Sequence, residues 1–162
     1  MSIKKSISKL ILVCLVCVYA NINAQTTAVY KIDGLLKRIH NSSDTTYIVN
    51  FWATWCKPCV AELPEFEKLH TAKYHNVKVL LICMDFKEEL NKKVKTFLDK
   101  NKYTAEVILL DEVNGNDFIN KISEKWSGAI PATLVTKRNP WSNEFIEGKI
   151  TAEKLAAMIL AK

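Results

Sequence analysis

Apolar and polar positions follow several distinct periods along this chain, and each period predicts an element. Residues 30–41 place Ile32, Leu35, Leu36 and Ile39 at helical spacing, so a first helix is expected there, weakened by Gly34 and followed by a loop at Asn41–Asp44. Residues 25–43 therefore read as a loop and one helix. Thr46 to Ala53 is β-branched and aromatic without polar alternation, as expected of a central strand buried on both faces. From Cys56 to about Tyr74 the period becomes helical, with Val60, Leu63, Phe66 and Leu69 on one stripe. Pro64 lies inside that stretch and predicts a kink near Val60 to Pro64 rather than a break.

Val77 to Met84 reads as the next buried strand, ending at Asp85, and Glu88 to Lys100 as an amphipathic helix carrying Leu90, Val94, Phe97 and Leu98. A third strand is expected over Ala105 to Leu110, then a short helix from Asp117 to Trp126 with Phe118, Ile119 and Ile122 inward. Ala132 to Thr136 and Glu144 to Ile146 read as two adjacent strands joined through Lys137 to Asn143. Gly148 ends the second of them, and Thr151 caps a closing helix to Leu160 with Leu155, Met158 and Ile159 inward. The order α-β-α-β-α-β-α-β-β-α, alternating first and ending on a hairpin, implies an α/β fold: a central mixed β-sheet with helices on both faces.

The start of the chain follows a different pattern. Lys4, Lys5 and Lys9 precede an uncharged apolar run from Leu10 to Ala20, which reads as a secretory signal. A spanning helix needs roughly 20 apolar residues, and polar Asn21 and Asn23 follow too soon. Cleavage is expected after Ala24, with an uncleaved amino-terminal membrane anchor as the alternative. The expected organisation is thus a signal peptide over residues 1–24 and one domain over 25–162, exported to the periplasm.

Composition agrees with one globular domain: 162 residues, 49% hydrophobic and 25% charged, with only 4 Gly and 4 Pro, which excludes collagen-like and mostly disordered chains. The formal charge of +6 loses its meaning once the signal is removed. Residues 1–24 hold three of the 23 basic residues and none of the 17 acidic ones, leaving 20 against 17 and a charge of +3. The remaining Lys are interleaved with acids, as in Lys87, Glu88, Glu89, Lys92 and Lys93, and no Arg-aromatic stripe suggests a nucleic-acid partner.

Of the five Cys, Cys14 and Cys17 form a C-x-x-C that falls inside the signal and would be discarded. Val13 and Val16 before them do not fit lipid attachment. Cys56, Cys59 and Cys83 remain, and an oxidising compartment favours one pair and one bystander. Cys56-Lys57-Pro58-Cys59 sits where a buried strand hands over to a helix. A thiolate at a helix amino terminus meets unpaired N–H groups and the positive end of the helix dipole, so Cys56 is the expected nucleophile. Lys57 adds positive charge, and Pro58 suits an early helical position. Cys59, one turn deeper, can reach Cys56 and act as the resolving thiol. Glu62 lies on the same helical face, where its carboxylate can take the proton Cys59 loses. Two plainer readings of the pair are a permanent disulfide and half a zinc site. Zinc needs two more ligands, and His40, His70, His75 and Cys83 offer no second close pair, so no metal is expected. Cys83, in mid-strand, reads as a small buried hydrophobe. Trp52 is expected in the core, Trp55 at the rim of the site, and Trp126 and Trp141 over hydrophobic edges.

With these residues in view the chain resembles the thioredoxin superfamily, and within it the TlpA/ResA-like exported thiol–disulfide oxidoreductases. The resemblance rests on FWATWCKPC at 51–59, Glu62-Leu63-Pro64, the strand ending in Asp85, and Ile130-Pro131-Ala132-Thr133, and it covers roughly residues 44–160. It implies a thioredoxin-like fold and a redox-active Cys56–Cys59 disulfide with no other cofactor. It also implies a cis Pro131 whose neighbour Ile130 binds an extended substrate backbone, and Glu62 as the active-site acid. The implied partners are a disulfide-containing protein substrate and a membrane thiol–disulfide electron donor; cytochrome maturation is the familiar task, with thiol repair or peroxide defence beside it. Cys-Lys-Pro-Cys and Ile130 resemble reducing members. A disulfide-donating oxidase and a polypeptide-binding or chaperone module without turnover are the alternatives. Two departures stand out. Where thioredoxin has a buried Asp, this chain has Asn50, which cannot act as a base, and the segment before residue 44 is too short for the extra hairpin of many relatives.

Overall fold

The computed structural model describes residues 27–41, 44–138 and 141–160. The expected signal segment with Cys14 and Cys17, and the side chain of Trp141, lie outside the described residues. Six strands form one sheet in the order β1-β4-β3-β2-β5-β6. They are β1 (Ala28–Tyr30), β2 (Thr46–Trp52), β3 (Val77–Cys83), β4 (Glu106–Leu110), β5 (Ala132–Arg138) and β6 (Trp141–Glu147). The first four run parallel to one another, and β5 and β6 add antiparallel pairings at the other edge. The helices are α1 (Ile32–His40), α2 (Lys57–Thr71), α3 (Lys95–Asn101), α4 (Ile119–Ile122) and α5 (Ala152–Leu160). This is the mixed sheet with helices on both faces that the alternation predicts.

Side-chain alternation divides the strands between two cores. Ile48 and Trp52 of β2, Leu81 and Cys83 of β3, and Leu109 of β4 pack with Leu63 and Phe66 of α2, Leu98 of α3 and Leu155 of α5. Tyr47, Val49 and Phe51, with Leu80, Ile82 and Ile108, pack instead with Leu35 and Ile39 of α1, Ile122 of α4 and Trp126. Parallel strands buried on both sides lose polar alternation, which is why β2 and β3 read as continuous apolar runs.

Four elements differ from the sequence expectation. Residues 28–30 form an edge strand in register with Ile108 to Leu110, where a loop was expected; three residues carry too short a pattern, and the pairing comes from β4. The expected helix over Glu88–Lys100 is a tight 3-10 turn at Lys87–Glu89, a wide π turn at Leu90–Val94 and then α3, with Val94 and Leu98 buried. The expected helix Asp117–Trp126 is regular only over α4, because Ser123 turns extended. Trp126 then packs inside the second core rather than over an edge, its ring 4.7 Å from Phe51 and its Nε1 donating to the Ala129 carbonyl at 2.8 Å. The terminal hairpin is longer than its apolar residues indicate, with Lys137 opposite Ser142 and Arg138 opposite Trp141. Along α2, Glu62 is buried while Val60 is only half-buried, and the exposed Pro64 leaves the helix unbroken.

Candidate active site

The carboxyl ends of the parallel strands and the start of β5 meet at one end of the sheet, and Cys56 and Cys59 lie there. Cys56 caps α2 from an extended backbone, its Sγ accepting from the Cys59 N–H at 3.3 Å. It is 6% exposed, Cys59 is fully buried, and the two are joined in a disulfide with Cα atoms 5.3 Å apart. Lys57 and Pro58 form the exposed first turn of the helix, and Trp55 stands out at 66% exposure beside them. Such a helix start favours a charged sulfur at Cys56 and leaves Cys59 screened from solvent.

Across from the disulfide, the Ile130–Pro131 peptide bond is cis, and the Ile130 carbonyl oxygen lies 3.7 Å from Cys56 Sγ. Pro131 is buried, and its carbonyl accepts from the Gly148 N–H at 2.8 Å. Gly148 has a φ of +103°, which a side chain would strain, and this turn carries the chain from β6 to the segment before α5.

Glu62 is 3% exposed and points from α2 onto β2. Its Oε1 accepts from Asn50 Nδ2 at 2.8 Å and its Oε2 from the Ile150 N–H at 3.1 Å. Burial pushes its carboxyl above the usual glutamate range, against the opposing pull of the Asn50 amide, the Ile150 N–H and the charge of Lys149. A carboxyl held there exchanges protons nearer neutrality than a surface glutamate. It stands one helical turn from Cys59, so α2 carries the thiol and the acid on its buried side.

The loop before Cys56 is fixed from the end of β3. Asp85, 4% exposed, accepts from the Thr54 N–H at 2.8 Å, the Thr54 hydroxyl at 2.6 Å and the Cys83 thiol at 3.2 Å. Burial, with the nearby Asp85, pushes the Cys83 thiol far up, so Cys83 is held protonated. The sequence placed Asp85 at a strand end without showing what it holds; Thr54, two residues before Cys56, was the available signal. Ile150 escaped sequence reading because it contributes only a backbone N–H, and Thr133, read as part of the Ile130–Thr133 stretch, adds a buried hydroxyl contact with Asn50 that the sequence did not show. Among the described residues, no group of His, Cys, Asp and Glu is arranged to hold a metal ion.

The chain is similar to the thioredoxin-like protein YneN of Bacillus subtilis, 32% identical over 92 residues that cover 57% of this chain and 54% of that protein. It is similar to the thiol-disulfide oxidoreductase ResA of Oceanobacillus iheyensis, 29% identical over 110 residues that cover 67% of this chain and 52% of ResA. The chain thus spans about half the length of these curated relatives. Its fold matches the crystal structure of a thioredoxin-related protein from Neisseria meningitidis serogroup B with a TM-score of 0.61, at 24% identity, over 72% of this chain and 84% of that one. The fold is therefore thioredoxin-like. The model of the AhpC/TSA family matches residues 23–140, well over half of the sequence, and the chain belongs to the AhpC/TSA family of thioredoxin-like proteins.

Proposed function

We propose that this protein is a thiol–disulfide oxidoreductase that reduces disulfides in other proteins through Cys56 and Cys59, outside the cytoplasm. One observation carries the reading: the paired sulfurs at the start of α2, with the Ile130 carbonyl and cis Pro131 beside Cys56. In the reduced protein the Cys56 thiolate attacks one sulfur of a substrate disulfide, forming a mixed disulfide and releasing the other substrate sulfur as a thiolate. Cys59 loses its proton to Glu62 and attacks Cys56 Sγ, which closes the Cys56–Cys59 disulfide and frees the second substrate thiolate. Two electrons pass from the Cys pair to the substrate, so the exchange itself needs no further cofactor.

Ile130, half-buried beside Cys56, offers its backbone to an extended polypeptide, while Trp55, Lys57 and Pro58 border Cys56. The relatives named as thiol-disulfide oxidoreductases support the reaction class. The basic start and apolar run of residues 1–24 support export to the periplasm as a single domain over 25–162, and a membrane thiol–disulfide donor would restore the dithiol.

The test is insulin reduction by the full chain, with the reduction potential of the Cys56–Cys59 couple. Activity lost in Cys56→Ser and a potential near about −270 mV, as in thioredoxin, is the expected result. A value near about −120 mV, as in DsbA, reverses the direction to oxidation. Equal activity of wild type and Cys56→Ser sinks the redox reading and leaves a polypeptide-holding module.

A further inference from the structure

The carboxyl of Glu62 and the amide of Asn50 form one buried unit, and one side of the amide is unused. Asn50 is fully buried on β2. Its Nδ2 has two hydrogens and three acceptors within reach: Glu62 Oε1 at 2.8 Å, Thr133 Oγ1 at 3.2 Å and the Ala132 carbonyl at 3.4 Å. Its Oδ1 is buried without a hydrogen-bond partner. An unpaired amide oxygen away from water is unfavourable, and few survive in a folded protein without a reason.

The arrangement suits an ionised Glu62, which can only accept. The Ile150 N–H keeps Oε2 an acceptor, so a proton taken up by Glu62 sits on Oε1, which then donates and needs an acceptor where Nδ2 now stands. Half a turn of the Asn50 amide about its terminal bond brings Oδ1 to that place. There it accepts from Glu62 and from the Thr133 hydroxyl, which donates as readily as it accepts. Amide nitrogen and oxygen have nearly the same size, so the turn asks little of the packing; its cost is the Nδ2 contact with the Ala132 carbonyl, and it carries the Nδ2 hydrogens to the side where Oδ1 now has no partner.

We propose that Asn50 is a positioning residue that keeps Glu62 hydrogen-bonded in both protonation states, donating from Nδ2 to the carboxylate and accepting at Oδ1 from the acid. The proposal rests on the reading of Glu62 as the group that receives the Cys59 proton, and it deepens that reading. The proton leaves Cys59 as its sulfur attacks, Glu62 holds it, and the Asn50 amide turns with it. Among the described residues the charged group that acts on Glu62 is Lys149, on the segment before α5, and Cys59 stands one turn before Glu62 on α2; β2 and β5 contribute the neutral Asn50 and Thr133. Thr133 lies two residues beyond Pro131, so the same amide links the acid to the strand that leaves the cis bond.

The test compares the pH dependence of exchange by the full chain with that of two variants. Glu62→Gln is expected to remove the limb that reports Glu62. Asn50→Leu, which deletes both polar atoms at similar volume, is expected to move that limb upward by about one pH unit, because the bond lost to the ionised form is stronger than the one lost to the acid. Nuclear magnetic resonance on the wild type adds a readout independent of any variant's folding. The Asn50 side-chain amide signals are expected to shift with the same midpoint as the Glu62 carboxyl carbon. An unmoved limb in Asn50→Leu, or amide signals that stay still through the Glu62 titration, overturns the proposal and leaves the role of Glu62 intact. A limb that survives Glu62→Gln instead overturns the reading of Glu62 as proton acceptor, while the amide signals still decide whether Asn50 follows the carboxyl.

Discussion

On the face covered by α1 and α4, Phe51, Phe118 and Phe145 surround Trp126 with ring centroids 4.7 to 5.8 Å apart. On the face covered by α2, α3 and α5, the sheet meets Glu62, Cys59 and Asn50. The aromatic face stabilises by area, since large rings bury much surface and need few partners. The other face gives up some of that simplicity. A buried carboxyl there is held by hydrogen bonds from Asn50 and Ile150, and burial is what raises its proton affinity. Stability can come from either face, whereas the proposed chemistry needs polar groups kept away from water at one helix end.

The sharpest break between the faces is expected from Cys59→Ser. Turnover of insulin should fall at least ~100-fold, by loss of the resolving thiol, with a mixed disulfide at Cys56 accumulating in mass spectra. Normal turnover in that variant would end the two-cysteine scheme. On the aromatic face, Leu35→Ala removes a fully buried side chain and is expected to cost about 2–5 kcal/mol in urea unfolding. Its exchange rate per folded molecule should match wild type, and a lower rate would show that the faces are not independent.

Glu62→Gln sharpens the contrast through pH. The folded carboxyl titrates above its unfolded value, so its contribution to stability is complete below the ordinary glutamate range and is lost as pH rises through the folded value. Unfolding free energies of wild type measured from pH 4 to pH 8 should decline relative to those of Glu62→Gln, and parallel curves would contradict the raised proton affinity. The smallest effect is expected at Cys83. Its thiol is buried and held protonated, so Cys83→Ala should leave exchange rates within about twofold of wild type. Alkylation of the reduced native protein should accordingly modify Cys56 well before Cys83.

Much of the site was legible because its determinants are local. The strand over residues 46–52, the start of α2 at Lys57 and the order of Cys56, Cys59 and Glu62 follow from periodicity and from the chemistry of a helix amino terminus. The alternation of strands and helices likewise indicated a mixed sheet covered on both sides. Elements whose local pattern is short or weak were read less well. β1 has three residues, the helix expected at 88–100 is divided among three turn types, and the outer hairpin extends through Lys137 and Arg138.

What the sequence determined by itself was the fold class and which side chains carry sulfur and acid, because side-chain period and capping act within a few residues. Tertiary structure decided what those groups meet. Thr54 and Asp85 are 31 residues apart, Asn50 and Thr133 83, and Glu62 and Ile150 88. No short-range pattern encodes such contacts, and two of them depend on backbone N–H groups that every residue but proline carries. The same tertiary packing left Oδ1 of Asn50 without a partner beside a carboxyl whose proton affinity is raised by burial. A buried amide acquires a role only from the groups folded around it, because exclusion of water makes each remaining hydrogen bond decisive.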